Sequence, residues 1–187
     1  MNSNRVLLSA ILVALLIPTL SLAEANISLN GVGGRLGFVM PEDPIDNTIG
    51  LGLNADLGTL MPNLSLWGYL DFWSKGYDAG YYEWSWTSIA IAAIAKYEFE
   101  MEGDIKPYAG GGLGFTITSW NSDYTGPAGF GFDASTSDSN FDIGLHFLGG
   151  AAKEFSPQLT GFAELKYSID GADYFGIYVG VSYKLNK

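Results

Sequence analysis

The chain has 187 residues, of which 20 are acidic and 9 are basic, and its formal net charge at pH 7 is −11. So acidic a chain argues against nucleic acid as a partner, because proteins that bind nucleic acids carry basic patches. The chain contains no cysteine, which excludes disulfides, thiolate metal sites and thiol catalysis.

The first 23 residues have the pattern of a secretory signal peptide. Arg5 precedes an uncharged, mostly apolar stretch at residues 6–17, and small residues follow at Ser21 and Ala23. Cleavage after Ala23 would leave residues 24–187 as one domain. The alternative is a membrane-anchoring helix, but the apolar stretch falls short of the roughly 20 residues that span a bilayer. We therefore expect an exported protein.

Eight later segments alternate apolar residues with small or polar ones, and this period of two predicts β-strands. In chain order, the apolar sets of the first four are Val32, Leu36, Phe38, Met40; Ile49, Leu51, Leu53, Ala55, Leu57; Leu64, Leu66, Leu70, Phe72; and Ile89, Ile91, Ala93, Ala95, Tyr97, Phe99. Those of the last four are Leu113, Phe115, Ile117; Phe141, Ile143, Leu145, Phe147; Leu159, Ala163, Leu165, Tyr167, Ile169; and Phe175, Ile177, Val179, Val181, Tyr183, Leu185. Most segments reach about ten residues, which suits tilted transmembrane strands.

The connections between these strands alternate in length. Three short ones are expected at residues 58–63, 101–104 and 156–158. Longer ones are expected at residues 41–47, 74–83 and 121–140, and only the last, at 170–173, is short where a long one is expected. Short turns at one end and long loops at the other are typical of bacterial outer-membrane barrels. We therefore predict an all-β fold, an eight-stranded antiparallel transmembrane up-and-down barrel with both termini in the periplasm.

The alternation alone does not decide whether the apolar face meets lipid or a protein core. A soluble barrel such as a lipocalin would turn its polar face outward, and we would then expect many charges on that face. The polar face here is mostly glycine, alanine, serine and threonine, with one or two charges per strand. Such a face suits the lining of a narrow barrel that is filled by its own side chains. The apolar face is therefore predicted to meet lipid.

Charged side chains on the inward face are predicted to form a structural network, because buried charges must be paired. The predicted members are Lys96, Glu98, Asp142, His146, Glu164, Lys166 and Lys184, with Asp56, Asp71 and Glu154 nearby by register. His146 is the only histidine, and Asp142 precedes it by four residues on the same face. We interpret these two residues as a structural pair rather than a catalytic one.

Three segments resemble strands of a known protein family. Residues 106–115, KPYAGGGLGF, resemble the fifth strand of the small outer-membrane β-barrel proteins of the OmpX/OmpA-like superfamily. Residues 161–168, GFAELKYS, resemble its seventh strand, in which a glutamate and a basic residue point inward. Residues 178–185, YVGVSYKL, match its C-terminal assembly signal, although many members end in phenylalanine where two further residues follow here. The resemblance implies that the barrel-assembly machinery reads this signal, which comprises Tyr178, Gly180, Tyr183 and Leu185.

Three functions are compatible with this sequence. The first is a structural or surface-interaction barrel with a side-chain-filled interior, since eight strands enclose little more than their own side chains. The second is a narrow porin-like channel for ions or small solutes, which the many inward glycines favour. The third, an enzyme that modifies outer-membrane lipid, is disfavoured because a lipid A deacylase of this barrel type would carry a His-x-Ser pair, and Leu148 stands two residues after His146. We expect neither an enzymatic activity nor a cofactor.

The predicted long loops are strongly acidic, with Lys75 as their one basic residue. Their acidic residues are Glu42, Asp43, Asp46, Asp78, Glu83, Asp123, Asp133, Asp138, Asp170 and Asp173. Such a rim attracts divalent cations or basic partners. Residues 133–142 offer oxygen ligands but lack the glycine and glutamate of a calcium-binding EF-hand loop, so a solvated loop is the preferred interpretation. The expected partners are membrane lipid, lipopolysaccharide and the barrel-assembly machinery, and the protein is expected to be a monomer.

Seven aromatic residues are predicted near the outer ends of strands 3, 4 and 5. They are Trp67, Trp73, Tyr81, Tyr82, Trp84, Trp86 and Trp120. Anchoring at the membrane interface is their ordinary role. A patch on which a ligand stacks is the alternative interpretation.

Overall fold

A computed structural model of the protein describes residues 25–125 and 133–185. The signal peptide predicted at residues 1–23 lies outside the described residues and stays a prediction. Within the two described ranges, no helix is long and apolar enough to cross a membrane.

The fold is a closed barrel of eight strands, each paired antiparallel with its neighbours in the chain. The strands are β1 (Asn26–Pro41), β2 (Thr48–Met61), β3 (Leu64–Asp78), β4 (Tyr82–Glu98), β5 (Ile105–Thr125), β6 (Asp133–Glu154), β7 (Leu159–Ile169) and β8 (Tyr174–Lys184). The last strand pairs with the first over eleven residues, from Gly31 opposite Lys184 to Pro41 opposite Tyr174. This architecture confirms the predicted fold class.

The period-two pattern separates two faces of the wall. Large apolar side chains lie exposed on the outer face, as Ile143 (77% exposed), Leu113 (63%) and Val179 (58%) illustrate. The inward residues of the same strands are buried, and His146 and Lys166 are fully buried. An apolar surface of this extent would be unstable in water, whereas it suits the hydrocarbon layer of a membrane.

The two ends of the barrel differ. We call the end with the short connections at residues 62–63, 99–104 and 155–158 the turn end, and the opposite end the loop end. Because β1 starts and β8 stops at the turn end, both described ends of the chain lie there. The sequence pattern of alternating connections predicts this asymmetry.

Four strands continue beyond the barrel at the loop end, where the sequence predicts loops. β5 and β6 stay paired residue by residue from Thr118 opposite Asn140 to Thr125 opposite Asp133. The prediction of a loop over residues 121–140 is therefore wrong for its described parts. Residues 133–142 are likewise strand rather than loop, although residues 134–140 are exposed to solvent as predicted. The alternation is hidden there because both faces of these segments meet water and carry serine, threonine and asparagine.

We call this extension the projecting sheet. It comprises residues 74–78 of β3, 82–87 of β4, 119–125 of β5 and 133–140 of β6. The predicted loop at residues 74–83 shrinks accordingly to residues 79–81, which connect β3 to β4.

Candidate functional site

Four buried charged side chains meet across the lumen at mid-height, and we call them the central ion cluster. Arg35 on β1 donates from Nε and Nη2 to Asp71 Oδ1 on β3, at 3.0 and 2.5 Å, and from Nη1 to Glu164 Oε1 on β7. Lys166 on β7 donates from Nζ to Asp71 Oδ2 at 2.5 Å. All four side chains are at most 2% exposed. Two cations and two carboxylates therefore balance one another.

Aromatic side chains complete this cluster. The Tyr69 and Tyr108 hydroxyls donate to Glu164 Oε2 at 3.3 and 3.0 Å. The Arg35 guanidinium lies between two rings, 4.3 Å from the centroid of Tyr69 and 4.4 Å from that of Tyr178. A desolvated guanidinium gains from such ring faces as well as from its ion pairs. The cluster thus has its charges paired and its cation enclosed.

A second polar cluster lies on the loop side of the first. Ser168 Oγ donates to Asp170 Oδ2 at 2.7 Å and lies 2.7 Å from His146 Nδ1. Thr116 Oγ1 donates to the same Asp170 oxygen at 2.5 Å. Because a serine has one hydroxyl proton, His146 Nδ1 must donate to Ser168. A fully buried serine whose proton is directed at a carboxylate is not a nucleophile poised for substrate.

The predicted pairing of His146 with Asp142 is wrong. Four residues along a β-strand span about 13 Å, so two side chains at this spacing cannot pair as they would in a helix. The barrel register instead places Ser168 of β7 opposite His146. The carboxylate nearest to the imidazole is that of Asp170, 4.0 Å from Nε2.

The other predicted network residues lie apart from the central ion cluster, to which Glu164 and Lys166 belong. Lys96 is buried in the turn-end half of the lumen, with Nζ 3.5 Å from the ring centroid of Trp67 and 4.5 Å from that of Tyr108. Glu98 is half-buried and Lys184 is exposed in the same region. Asp142 is half-buried towards the loop end.

Arg35, the centre of the ion cluster, is absent from the predicted network. The sequence does contain a signal that Arg35 points inward. Val32, Leu36 and Phe38 define the outward face of β1, and the alternation places Arg35 on the opposite face. Asp71 was placed near the network by register but not among its members. Sequence alone does not show that these two residues meet, because their contact depends on the stagger of β1 against β3.

The turn-end half of the lumen contains a cavity of about 270 Å³. All eight strands contribute to its lining, and Tyr69, Tyr108 and Glu164 form its inner limit. Trp67 lies in this lining, so the prediction that places it among the aromatic residues at the outer end is wrong. Trp73 is also inside the barrel, where it is 1% exposed.

The projecting sheet carries the remaining predicted aromatic residues except Tyr81. Tyr77 stacks on Trp84 with ring centroids 5.3 Å apart, and Tyr82 lies 4.7 Å from Tyr124. Trp86 lies 6.3 Å from Trp120. In the described part of the chain, no group of three or more histidine, aspartate or glutamate side chains is arranged to hold a metal ion.

An eight-stranded antiparallel barrel with an apolar outer face and a charged interior defines the class of small transmembrane β-barrels. The family model described as an outer membrane protein beta-barrel domain matches residues 9–184. The chain belongs to this family, which confirms the resemblance to small OmpX/OmpA-like barrels and identifies the protein as an outer-membrane barrel.

Solved structures of other barrels share the fold. Neisserial surface protein A is 19% identical with a TM-score of 0.61, and the match covers 86% of this chain and 99% of that one. The attachment invasion locus protein Ail of Yersinia pestis is 14% identical with a TM-score of 0.53, covering 84% and 100%. A major outer membrane protein of Thermus thermophilus is 13% identical with a TM-score of 0.55, covering 83% and 98%. A search of curated protein sequences finds none that matches.

Proposed function

We propose that this protein is a non-enzymatic surface-interaction barrel, closed to ions at the central ion cluster, that presents the projecting sheet to a partner outside the cell. The observation that carries this proposal is an open strand edge on β6. Pairing with β7 begins only at Leu145, so residues 133–140 have β5 on one side and no described strand on the other.

The opposite edge of the projecting sheet is covered. Thr48 Oγ1 donates to the Ser74 carbonyl at 2.7 Å, and the Asp46 amide donates to the Tyr77 hydroxyl at 2.5 Å. The Lys75 ammonium reaches the Asn47 carbonyl at 3.3 Å. The segment at residues 46–48 thus covers the β3 edge, whereas the described chain leaves the β6 edge free. A free edge offers unpaired backbone groups to an added strand.

The charge of this region favours a basic, extended peptide as the added strand. Asp138 lies on the open edge strand and is exposed, and Asp123 on β5 pairs with Ser135 of the same strand. The predicted rim has many carboxylates and Lys75 as its one cation, so it attracts positive segments and repels polyanions. Two proteins of similar structure are a neisserial surface protein and an attachment invasion locus protein, and these names agree with a surface role for those proteins.

The proposed topology places the loop end outside and both termini in the periplasm, as is usual for barrels with short periplasmic turns. Export would depend on the signal peptide at residues 1–23. The assembly machinery would read the C-terminal signal at Tyr178, Gly180, Tyr183 and Leu185. The assembled barrel would lie as a monomer among lipid and lipopolysaccharide, with divalent cations at its acidic rim.

A synthetic peptide tests the open edge. We expect a seven-residue peptide that alternates lysine with threonine and valine to shift the backbone amide signals of residues 133–140 in micelle-embedded protein. The same peptide with alternate N-methylated amides is the control, because it keeps its charge and loses its strand hydrogen bonds. Equal shifts from both peptides, or shifts outside β6, would contradict strand addition.

A narrow channel is the second candidate, and the cavity in the turn-end half favours it. In this alternative the central ion cluster and the second polar cluster, which lie between the cavity and the loop end, would both have to open. Recordings from purified protein in planar lipid bilayers separate the two functions. We expect no steady conductance at neutral pH, and steady single-channel currents would refute the closed barrel.

A further inference from the structure

The Lys96 ammonium lies in the turn-end cavity without a strong partner. The residue is 6% exposed, and its ammonium lies against the ring faces of Trp67 and Tyr108. Among the described residues its ammonium makes no hydrogen bond and no ion pair, although an ammonium has three protons to donate. Buried cations are normally paired, so a donor group of this kind directed at a cavity indicates a ligand.

The cavity is a blind well that opens at the turn end. Its inner limit is formed by Tyr69, Tyr108 and Glu164, whose side chains belong to or contact the central ion cluster. Its mouth lies between side chains that reach solvent, among them Lys106 and Glu154, which are about half-exposed. The volume of about 270 Å³ lies close to the lower limit of ordinary small-molecule pockets.

The charges of the well are arranged in layers. At its inner limit, Glu164 is held in an ion pair with Arg35 and acts on Lys96 from outside ion-pair distance, so the Lys96 ammonium has no carboxylate in direct contact. Nearer the mouth, Lys106 and Glu154 pair with each other at 3.2 Å.

The remaining charges of the lining are the carboxylates of Asp56 and Glu98 and the cation of Lys184. Both carboxylates act electrostatically on Lys96 from outside ion-pair distance. Lys96 thus lies deeper in the well than the carboxylates of Asp56 and Glu98. This order favours a ligand whose inner end is anionic and whose outer end is cationic.

The strand geometry sets the length of such a ligand. Lys96 and Glu98 are two residues apart on the same face of β4, so their Cα atoms lie about 7 Å apart along the strand. An extended peptide of two residues spans about the same distance between its ends. We propose that the well binds a small zwitterion of dipeptide length, with its carboxylate on Lys96 and its ammonium towards Glu98 and Asp56.

Binding of alanyl-alanine to the micelle-embedded protein tests this site, with the indole N–H signals as reporters. Trp67 is the tryptophan of the well, whereas Trp73, Trp84, Trp86 and Trp120 lie towards the loop end and serve as internal references. We expect a saturable shift of the Trp67 signal alone. No shift at any attainable concentration, or equal shifts of all five signals, would overturn the proposal.

Two variants locate the anion-binding group. Lys96→Met removes the ammonium and keeps an apolar chain between the rings, and we expect affinity to fall at least about tenfold, as for loss of a charge-assisted hydrogen bond. Lys153→Met removes a cation at the same end of the barrel but outside the well, where Lys153 pairs with Asp104 at 3.5 Å, and we expect wild-type affinity. Equal affinity of the two variants would overturn the role of Lys96.

Altered ligands test the zwitterion even if Lys96→Met fails to assemble, which gel mobility without heating would reveal. Alanyl-alanine amide lacks the carboxylate and is expected not to bind the wild-type protein. N-acetyl-alanyl-alanine lacks the ammonium, so we expect it to bind the wild-type protein more weakly than alanyl-alanine does. The Glu98→Gln variant is expected to bind the two peptides equally well. Binding of the amide, or equal binding of the acetylated and free peptides to wild type, would overturn the proposal.

Discussion

The middle and the turn-end half of the lumen are enclosed by the same strands, yet their interiors differ. In the middle, Arg35, Asp71, Glu164 and Lys166 bind one another directly and are almost fully buried. In the turn-end half, Lys96 has only ring faces beside it and a cavity in front of it. The difference shows that the alternating wall fixes which residues point inward, while their sizes and partners decide whether a level is filled.

Two glycines make room for a large side chain in the middle of the lumen. The Tyr178 ring lies against the backbone of Gly37 and Gly176, and an added Cβ at either glycine would overlap this ring. The tyrosine is fully buried and contacts the Arg35 guanidinium. The two glycines, on neighbouring strands, thus make room for the tyrosine ring, which helps to enclose the central ion cluster.

Removal of Asp71 is expected to give the largest effect, because it leaves Arg35 without its bidentate partner and Lys166 without its ion pair. For Asp71→Ala we expect a loss of about 3–5 kcal/mol in the free energy of unfolding. Urea unfolding in lipid vesicles measures it. Glu154→Ala is the matched control in the turn-end half, where a half-exposed ion pair contributes less than about 1 kcal/mol. If the two variants lose equal free energy of unfolding, the proposed difference between the middle and the turn-end half is contradicted.

The contact of the outer face of the barrel with lipid is tested by Val179→Arg. Val179 is 58% exposed and lies on the outer face of β8 opposite Leu36, one position along from the level of Arg35. An arginine in mid-bilayer lipid is expected to cost about 2–4 kcal/mol. Gel mobility and urea unfolding in vesicles measure assembly and stability, and Phe175→Arg nearer the loop end is expected to cost less. A neutral Val179→Arg variant would contradict contact with lipid.

Tight filling of the middle is tested by Gly176→Ala. The new methyl group overlaps the Tyr178 ring, so we expect a loss of about 1–3 kcal/mol from overpacking. Gly34→Ala on the outer face is the control, because an added Cβ there meets nothing closer than 3.9 Å. If the two variants have equal stability, the middle is looser than its geometry indicates.

The smallest effect is expected for Lys96→Met. Loss of the contacts with Trp67 and Tyr108 is offset by relief from burying an ammonium, so the free energy of unfolding should change by less than about 1 kcal/mol. Lys166→Met in the central ion cluster is the counterpart and should be strongly destabilising. A large loss from Lys96→Met would mean that this cation stabilises the fold as the central cluster does.

The sequence predicts the strands, their faces and the closed barrel, because lipid outside and a narrow lumen inside impose a strict alternation. It does not predict the projecting sheet, since water on both faces of residues 119–125 and 133–140 removes the apolar signal. It also pairs His146 with the wrong carboxylate, because partners in a barrel come from neighbouring strands in register. The open well at Lys96 depends on the side-chain volumes of inward residues from all eight strands, which no local pattern reveals.

The seam between β1 and β8 has a consequence for how the chain assembles. Its pairs join the two ends of the domain, as Gly31 does with Lys184, whereas every other strand pair joins neighbours in the chain. The entropy lost in closing so long a segment makes this the slowest contact to form, so we expect the seam to close last. Until then β1 and β8 both present bare edges, which favour aggregation in water. A chain that ends before β8 would remain in that vulnerable state.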